Sequence, residues 1–299
     1  PGKVVYTAWL NERGGIESDL TVTRLREDAY LVVTAGTSQT RDLAWLRRQL
    51  PDEANAVVTD VTSGYVVLSV MGPNARRLLA EVTPADLSNE AFPFGTSKEI
   101  EVGYATALAL RVTYVGELGW ELYIPTEFAQ DIYDGIVAAG SGHGLKLAGM
   151  HALNSLRLEK AFRHWGHDMA DEDTPLEAGL GFAVCFDKGA FLGSEALFGQ
   201  KQHGVKKRLV QFALEDAKAL LYHNEPIWRD NEIVGFITSG MFGHIIGAAV
   251  GLGYVHHTDG VTPEYIQSGQ YEIEVAGKRI PARASLQPFY DSKNERIKA

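Results

Sequence analysis

Hydrophobic and polar positions alternate along much of this chain, and their period switches between that of strands and that of helices. Residues 3–10 and 20–35 contain "VVYTAWL" and "LTVTRL", rich in β-branched and aromatic residues, and they predict strands. The polar, glycine-containing stretch "NERGGIESD" predicts the turn between them. "YVVLSVMGPNARRLLAEV" (65–82) reads as a strand, a Gly72-Pro73 break and then an amphipathic helix. Two strands are predicted over 104–124. A helix is predicted over 126–140, with Thr126 as N-cap and Gly140 as stop. "GMHALNSLRLEKAF" (149–162), with Met150, Leu153 and Leu156 three apart, predicts another helix.

After about residue 205 the texture shifts to short strands at close spacing. "KRLVQFAL", "EPIWRDNEIVGFITSG", "AAVGLGYV", "YEIEV" and "KRIPARASL" are divided by turn residues, without a long helical run between them. Strands interleaved with single helices, followed by strands alone, predict an α+β protein ending in a small all-β barrel or sandwich. The border is expected within "GQKQHGVKK" (199–207), giving a first part over 1–204 and a second over 205–299.

Composition narrows the function classes. Of 299 residues, 45% are hydrophobic and 22% charged, the balance of a chain able to bury a core. The net charge of −10 argues against a general polyanion binder, which needs Lys and Arg to neutralise phosphates. Cys185 is the single cysteine, so no internal disulfide can form. No apolar run reaches the ~18–20 residues of a spanning helix.

The stretch "RVTYVGELGWELYIP" (111–125) breaks its strand pattern in the middle. Gly116 and Gly119 mark a bend or a close approach of another group to the backbone. Tyr114, Trp120 and Tyr123 are either core or the wall of a flat-ligand site. Glu121 is either a solvated strand residue or a carboxylate that accepts two parallel N–H donors. Asp19, after the Gly14-Gly15 turn, serves either turn chemistry or a site. His164, His167 and Asp168 in "FRHWGHD" lack the helical pair spacing or Cys-rich frame of a metal site, so no metal is assigned. "GSGHG" (140–144) and "GMFGHIIG" (240–247) do not follow a strand and open a helix, as a dinucleotide fingerprint must.

Taken in order, "VVYTAWLNERGGIESDLTV", "YVGELGWELYIP", "LNSLRLEKAFRHWGHDM", "PLEAGLGFAV" and "GFITSG" resemble the folate-binding aminomethyltransferase family of the glycine cleavage T-protein. Within it the chain is most similar to the C-terminal half of dimethylglycine dehydrogenase, dimethylglycine oxidase and sarcosine dehydrogenase. The resemblance covers essentially the whole chain. It implies a cloverleaf of two ferredoxin-like α+β lobes and a C-terminal β-barrel around tetrahydrofolate. It further implies capture of a one-carbon unit as 5,10-methylenetetrahydrofolate, in a bacterial cytoplasm or a mitochondrial matrix.

By the same resemblance Asp19 matches the family's essential aspartate, Glu121 its pterin-binding glutamate, and Tyr6 and Tyr114 its folate-contacting tyrosines. Phe162 falls where the oxidase branch carries an aromatic residue. The glycines of "VGELG" are expected to make room for the pterin ring. Leu153 stands where the glycine-cleavage branch carries an arginine, and Ser18 where it carries a second acid. Leu153, together with "EKAFRHWG", resembles the dehydrogenase and oxidase branch, and the missing arginine leaves Arg163 or another base to hold the folate's glutamate tail. The chain is expected to begin inside the family's first lobe, and FAD to belong to an oxidoreductase domain upstream in the full-length chain. A lipoyl-carrier aminomethyltransferase, a non-catalytic folate-binding module and a folate-dependent demethylase are the alternatives.

Overall fold

The computed structural model describes residues 1–299. The N-terminal alternating segments form an antiparallel sheet of β1 (Val4–Leu10), β2 (Ile16–Arg24) and β3 (Tyr30–Val33), in that order. The expected strand over 20–35 is thus two strands. Leu25 and Arg26 donate to the carbonyl of Ala29 in a tight turn, where charged residues 26–28 are exposed. Asp19 lies inside β2, because the strand starts directly after Gly15. Helix α1 (Gln39–Gln49), to which the hydrophobic pattern assigns no element, follows this sheet.

A second antiparallel sheet contains β4 (Tyr65–Met71), β5 (Ser97–Val102), β6 (Ala105–Leu110) and β7 (Gly119–Pro125), ordered β4-β7-β6-β5. Its period-two pattern sorts cleanly. Trp120, Leu122 and Ile124 are fully buried in a core with Val70, Ile100 and Phe92, covered by α2 (Ala75–Leu79) and α3 (Ala129–Gly140). Burying each such large side chain contributes about 1.5–3 kcal/mol.

The helix boundaries differ from the sequence reading in three places. α2 is much shorter than the run to residue 82. Thr126 does not cap α3: its hydroxyl donates to the carbonyl of Ser63, and residues 126–128 make a 3₁₀ turn first. Gly140 does end α3, but with an ordinary helical φ of −62°; the left-handed residue is Gly144, at φ +73°.

Helix α4 (Met150–Glu159) stops short of Phe162, because Ala161 takes a left-handed φ of +55°. Its buried side chains are Ser155, Arg157, Leu158 and Glu159, while Met150 is 61% exposed. The apolar triplet at 150, 153 and 156 is therefore not the face it buries.

After α5 (Ser194–His203), six strands close into an antiparallel barrel. They are β8 (Lys207–Leu214), β9 (Pro226–Arg229), β10 (Glu232–Gly243), β11 (Ala248–His256), β12 (Tyr271–Val275) and β13 (Lys278–Ser285), with α6 (Pro263–Ser268) packed on β13. Val210, Phe212, Ile227, Ile237, Val255 and Ile273 fill its interior. The opposite face of β8 and β11 packs on Leu158 and Ala161 from the end of α4. The expected α+β organisation with a C-terminal β-barrel is what the chain adopts.

Polar contacts fasten the barrel to the rest. Gln211 donates to the carbonyls of Leu158 and Glu159, at 2.6 and 3.2 Å. One oxygen of buried Glu159 accepts from the backbone N–H groups of Ile245 and Ile246. Lys160 pairs with Asp291 at 3.0 Å, and the Tyr290 hydroxyl donates to Glu117, bringing the C-terminal segment back across the second sheet.

Candidate functional site

The site follows from strand parity. On β1 and β2, Val4, Tyr6 and Ala8 share a face with Thr23, Thr21 and Asp19, their cross-strand partners. At one end of that face Val4 packs against Tyr123 and Leu110 of the second sheet. On β7, Glu121 and Tyr123 point the same way, opposite to the core residues Trp120 and Leu122. The two carboxylates Asp19 and Glu121 therefore stand on the facing surfaces of the two sheets.

Each carboxylate is held by a tyrosine. The Tyr6 hydroxyl donates to Asp19 Oδ2 at 3.1 Å, and the Tyr123 hydroxyl to Glu121 Oε2 at 2.9 Å. Burial raises both carboxyls above their ordinary values, and the two tyrosine bonds oppose that rise. Tyr6 itself is raised well above the usual phenol range, by burial first and by Asp19 next. A carboxylate has room for about four hydrogen bonds, so one tyrosine leaves each with acceptor capacity.

Aromatic rings line the approach. Tyr114 stacks on Phe162 with ring centres 6.2 Å apart and planes within 9°, and its hydroxyl donates to the carbonyl of Arg163. Burial pushes the Tyr114 phenol up to about 12, and Asp19 adds to the rise. Tyr6 stacks on Phe182, which is 77% exposed.

Arg163 donates to the carbonyls of Ala178 and Ala161, and its charge acts on Tyr6. Burial lowers its own pKa. Gly179, at φ +71°, is what admits it: a Cβ there would lie 2.6 Å from the guanidinium.

The structure thus groups Tyr6, Asp19, Tyr114, Phe162 and Arg163, with Glu121 on the facing sheet. Trp120 is core, packed edge-on to Phe92 and fully buried, so the aromatic beside Glu121 is Tyr123. The glycines of the 111–125 stretch are needed for the protein's own packing. A Cβ on Gly119 would meet Met71 at 2.5 Å, and one on Gly116 would meet the Lys160 stem at 3.0 Å. Asp168 is committed to a buried pair. It receives Arg157 at 2.5 Å, Thr238 at 2.6 Å and the backbone of His164 at 3.0 Å. The His164 and His167 rings only tilt against each other, 4.7 Å apart.

Sequence reasoning missed Phe182, the Arg157–Asp168 pair and the role of Gly179. The sign of Gly179 was available in "EAGLG", but its partner lies sixteen residues upstream in sequence and only the fold brings them together.

Comparison with known proteins adds the following. Residues 1–188 match the family described as the GCVT N-terminal domain, and residues 207–291 the glycine cleavage T-protein C-terminal barrel domain. The chain is 42% identical over 297 residues to a 4-methylaminobutanoate oxidase (formaldehyde-forming) of Paenarthrobacter nicotinovorans, covering 99% of this chain and 35% of that protein. It is 39% identical over 315 residues to the mitochondrial sarcosine dehydrogenase of Homo sapiens, covering 100% of this chain and 34% of that protein. The chain thus spans about a third of the length of these curated relatives. Among solved structures, the glycine cleavage system aminomethyltransferase T from Bartonella henselae superposes with a TM-score of 0.83 at 26% identity, over 97% of this chain and 77% of that one. No helix is long and apolar enough to cross a membrane.

Proposed function

The chain belongs to the glycine cleavage T-protein family, and on that premise we propose that it binds tetrahydrofolate between its two sheets and transfers a one-carbon unit to it. The observation that carries this reading is the pair of tyrosine-held carboxylates, Asp19 and Glu121, on facing surfaces with stacked aromatic rings beside them. The donor set suits a pterin. A flat heterocycle with a ring N–H and an exocyclic amine on one edge needs an acceptor-only carboxylate and an aromatic wall. Glu121 would take that edge, and Tyr114 and Phe162 would line the ring, with Tyr6 near the reacting end.

Tetrahydrofolate would supply the nucleophilic amines that take the one-carbon unit from the iminium formed by amine oxidation, the demethylated amine leaving and 5,10-methylenetetrahydrofolate being the product. Asp19 is the chain's catalytic group in this reading. Burial makes its carboxylate more basic, which suits a group that accepts a proton from an amine, and the Tyr6 hydroxyl keeps it oriented. The same negative charge stabilises a developing cation nearby. Holding amine and electrophile together supplies much of the remaining acceleration. Arg163 or another base would hold the glutamate tail.

The one-carbon donor would come from oxidation of an N-methyl amine of the sarcosine or dimethylglycine type by an FAD-binding oxidoreductase domain in the same full-length chain. The names of the relatives and the apolar Leu153 support this. The division between the folate-binding part, 1–204, and the barrel, 205–299, is part of the same reading. The structural likeness to an aminomethyltransferase favours a second one, transfer from an aminomethylated carrier protein. Incubating the intact protein with each donor and tetrahydrofolate, and measuring methylene-tetrahydrofolate, separates the two. Product from the N-methyl amine alone is the expected result. Free formaldehyde in full yield, with no folate product, would overturn both.

A further inference from the structure

Behind Asp19 lies a second carboxylate to which the reaction above gives no task. Asp42, on α1, is 3% exposed. Its Oδ2 accepts from the Ser18 hydroxyl at 3.0 Å. Its Oδ1 accepts from its neighbour Arg41 through Nε at 3.1 Å and Nη2 at 2.8 Å. Arg41 also donates to the carbonyl of Glu17 at 2.6 Å, and its guanidinium lies 3.9 Å over the Trp165 ring. Trp165 in turn donates to the carbonyl of Ile16 at 2.8 Å.

Three successive residues of β2, Ile16, Glu17 and Ser18, are therefore each held by a side chain from outside the sheet, and Asp19 comes next. A buried carboxylate costs several kcal/mol of desolvation unless it is paired and hydrogen-bonded. Asp42 is both, accepting from Ser18 on one oxygen and from Arg41 on the other. What an ionised Asp42 adds is a field. Ser18 and Asp19 face opposite sides of the strand, so the Asp42 charge sits across the sheet from the Asp19 carboxylate. Charge repulsion through the poorly screened sheet favours a proton on Asp19, and Arg41 offsets it. The repulsion from Asp42 is one cause of the raised Asp19 carboxyl, smaller than burial.

We propose that Asp42 is a positioning residue for Asp19: with Arg41 it clamps the stretch of β2 that presents Asp19, and the balance of the two charges adjusts how readily that carboxylate takes up a proton. The inference rests on the assignment of Asp19 as the proton-accepting group. Of the other groups around Asp19, Tyr6 from β1 acts on it directly, Arg163 acts on Tyr6, and Tyr114 from the loop before β7 feels the Asp19 charge. None of these is altered by changes on α1.

The test is a carboxyl titration of Asp19 itself, by carbon-13 NMR with label at Asp Cγ and the signal identified through Asp19→Asn. Asp42→Asn keeps an acceptor for Ser18 and removes the charge, so the Asp19 midpoint falls by about half a pH unit. Arg41→Gln leaves the Asp42 charge unopposed and raises the midpoint. Arg41 is 39% exposed at its side chain, so this second variant tests the proposal even where the first folds poorly. Opposite shifts support the proposal. A merely structural clamp would leave both midpoints where they were, and unmoved midpoints or shifts of one sign would overturn it. Because the readout is the carboxyl and not turnover, a protein that transfers no one-carbon unit would overturn the proposed function and leave this result standing.

Discussion

The Tyr6 hydroxyl donates to Asp19 Oδ2 at 3.1 Å across one diagonal of the β1–β2 pair, since Tyr6 faces Thr21 and Asp19 faces Ala8. The bond steadies the ionised form of a carboxylate that burial pushes toward its neutral form. Tyr6→Phe removes that support and raises the Asp19 pKa further. A hydrogen bond to a charged group is worth about 1.5–3 kcal/mol, so the acid limb of the pH–rate profile moves up by on the order of one unit. Asp19→Ala removes the group and lowers turnover by about 10²–10⁴-fold with the fold intact. A profile of kcat/KM against pH checks both, and an acid limb unchanged in Tyr6→Phe would remove Asp19 from the reaction.

Two raised carboxyls also set a pH dependence of stability. Asp19 and Glu121 have ordinary values of 3.8 and 4.5 and hold their protons to higher pH in the folded chain, chiefly through burial. The folded state thus binds more protons than the unfolded one in that window. Stability falls as pH rises from those ordinary values through the folded ones, and is level above them. Asp19→Asn and Glu121→Gln are expected to melt higher than the parent at pH 7, with the gap closing toward pH ~4. Thermal melts across that range check it; a gap that widens on acidification would contradict it.

The pair Arg157–Asp168 joins α4 to the barrel through Ser239 and Thr238, with both partners buried. Removing one partner strands the other's charge, so Asp168→Ala is expected to cost about 3–5 kcal/mol. Urea unfolding measures this as a lowered midpoint. A loss no larger than that of an exposed pair such as Arg279–Glu272 would show that water reaches Arg157.

Much of this was legible where a period was clean. The strand itself was legible in β7, although only the structure separated Trp120 and Leu122 from Glu121 and Tyr123, and the dense strands after residue 205 pointed to a barrel or sandwich. The helices were less legible for physical reasons. α4 buries Arg157 and Glu159, and its apolar Met150 is exposed, so hydrophobicity marks the wrong face. Its end is set by Ala161 in a left-handed conformation, which no residue type there signals. Gly119 and Gly116 carried a true message of close approach, but the approaching groups are Met71 and Lys160. The resemblance named Tyr6, Asp19, Tyr114, Glu121 and Phe162, and the fold places them on facing surfaces and beside one another. Phe182 and Asp42 depend on contacts between distant segments and left no local signal.

The central claim is that tetrahydrofolate binds between the sheets with its pterin edge on Glu121, and calorimetric titration of the intact protein with tetrahydrofolate tests it most directly. Glu121→Gln turns one acceptor into a donor facing a donor, a buried mismatch of about 2–4 kcal/mol, which is roughly 30- to 1,000-fold in Kd. Glu121→Asp keeps both acceptors one methylene short and should lose less. The account predicts saturable binding by the parent protein and affinities in the order parent, Asp, Gln. Equal dissociation constants for all three, or no binding by the parent, would contradict it.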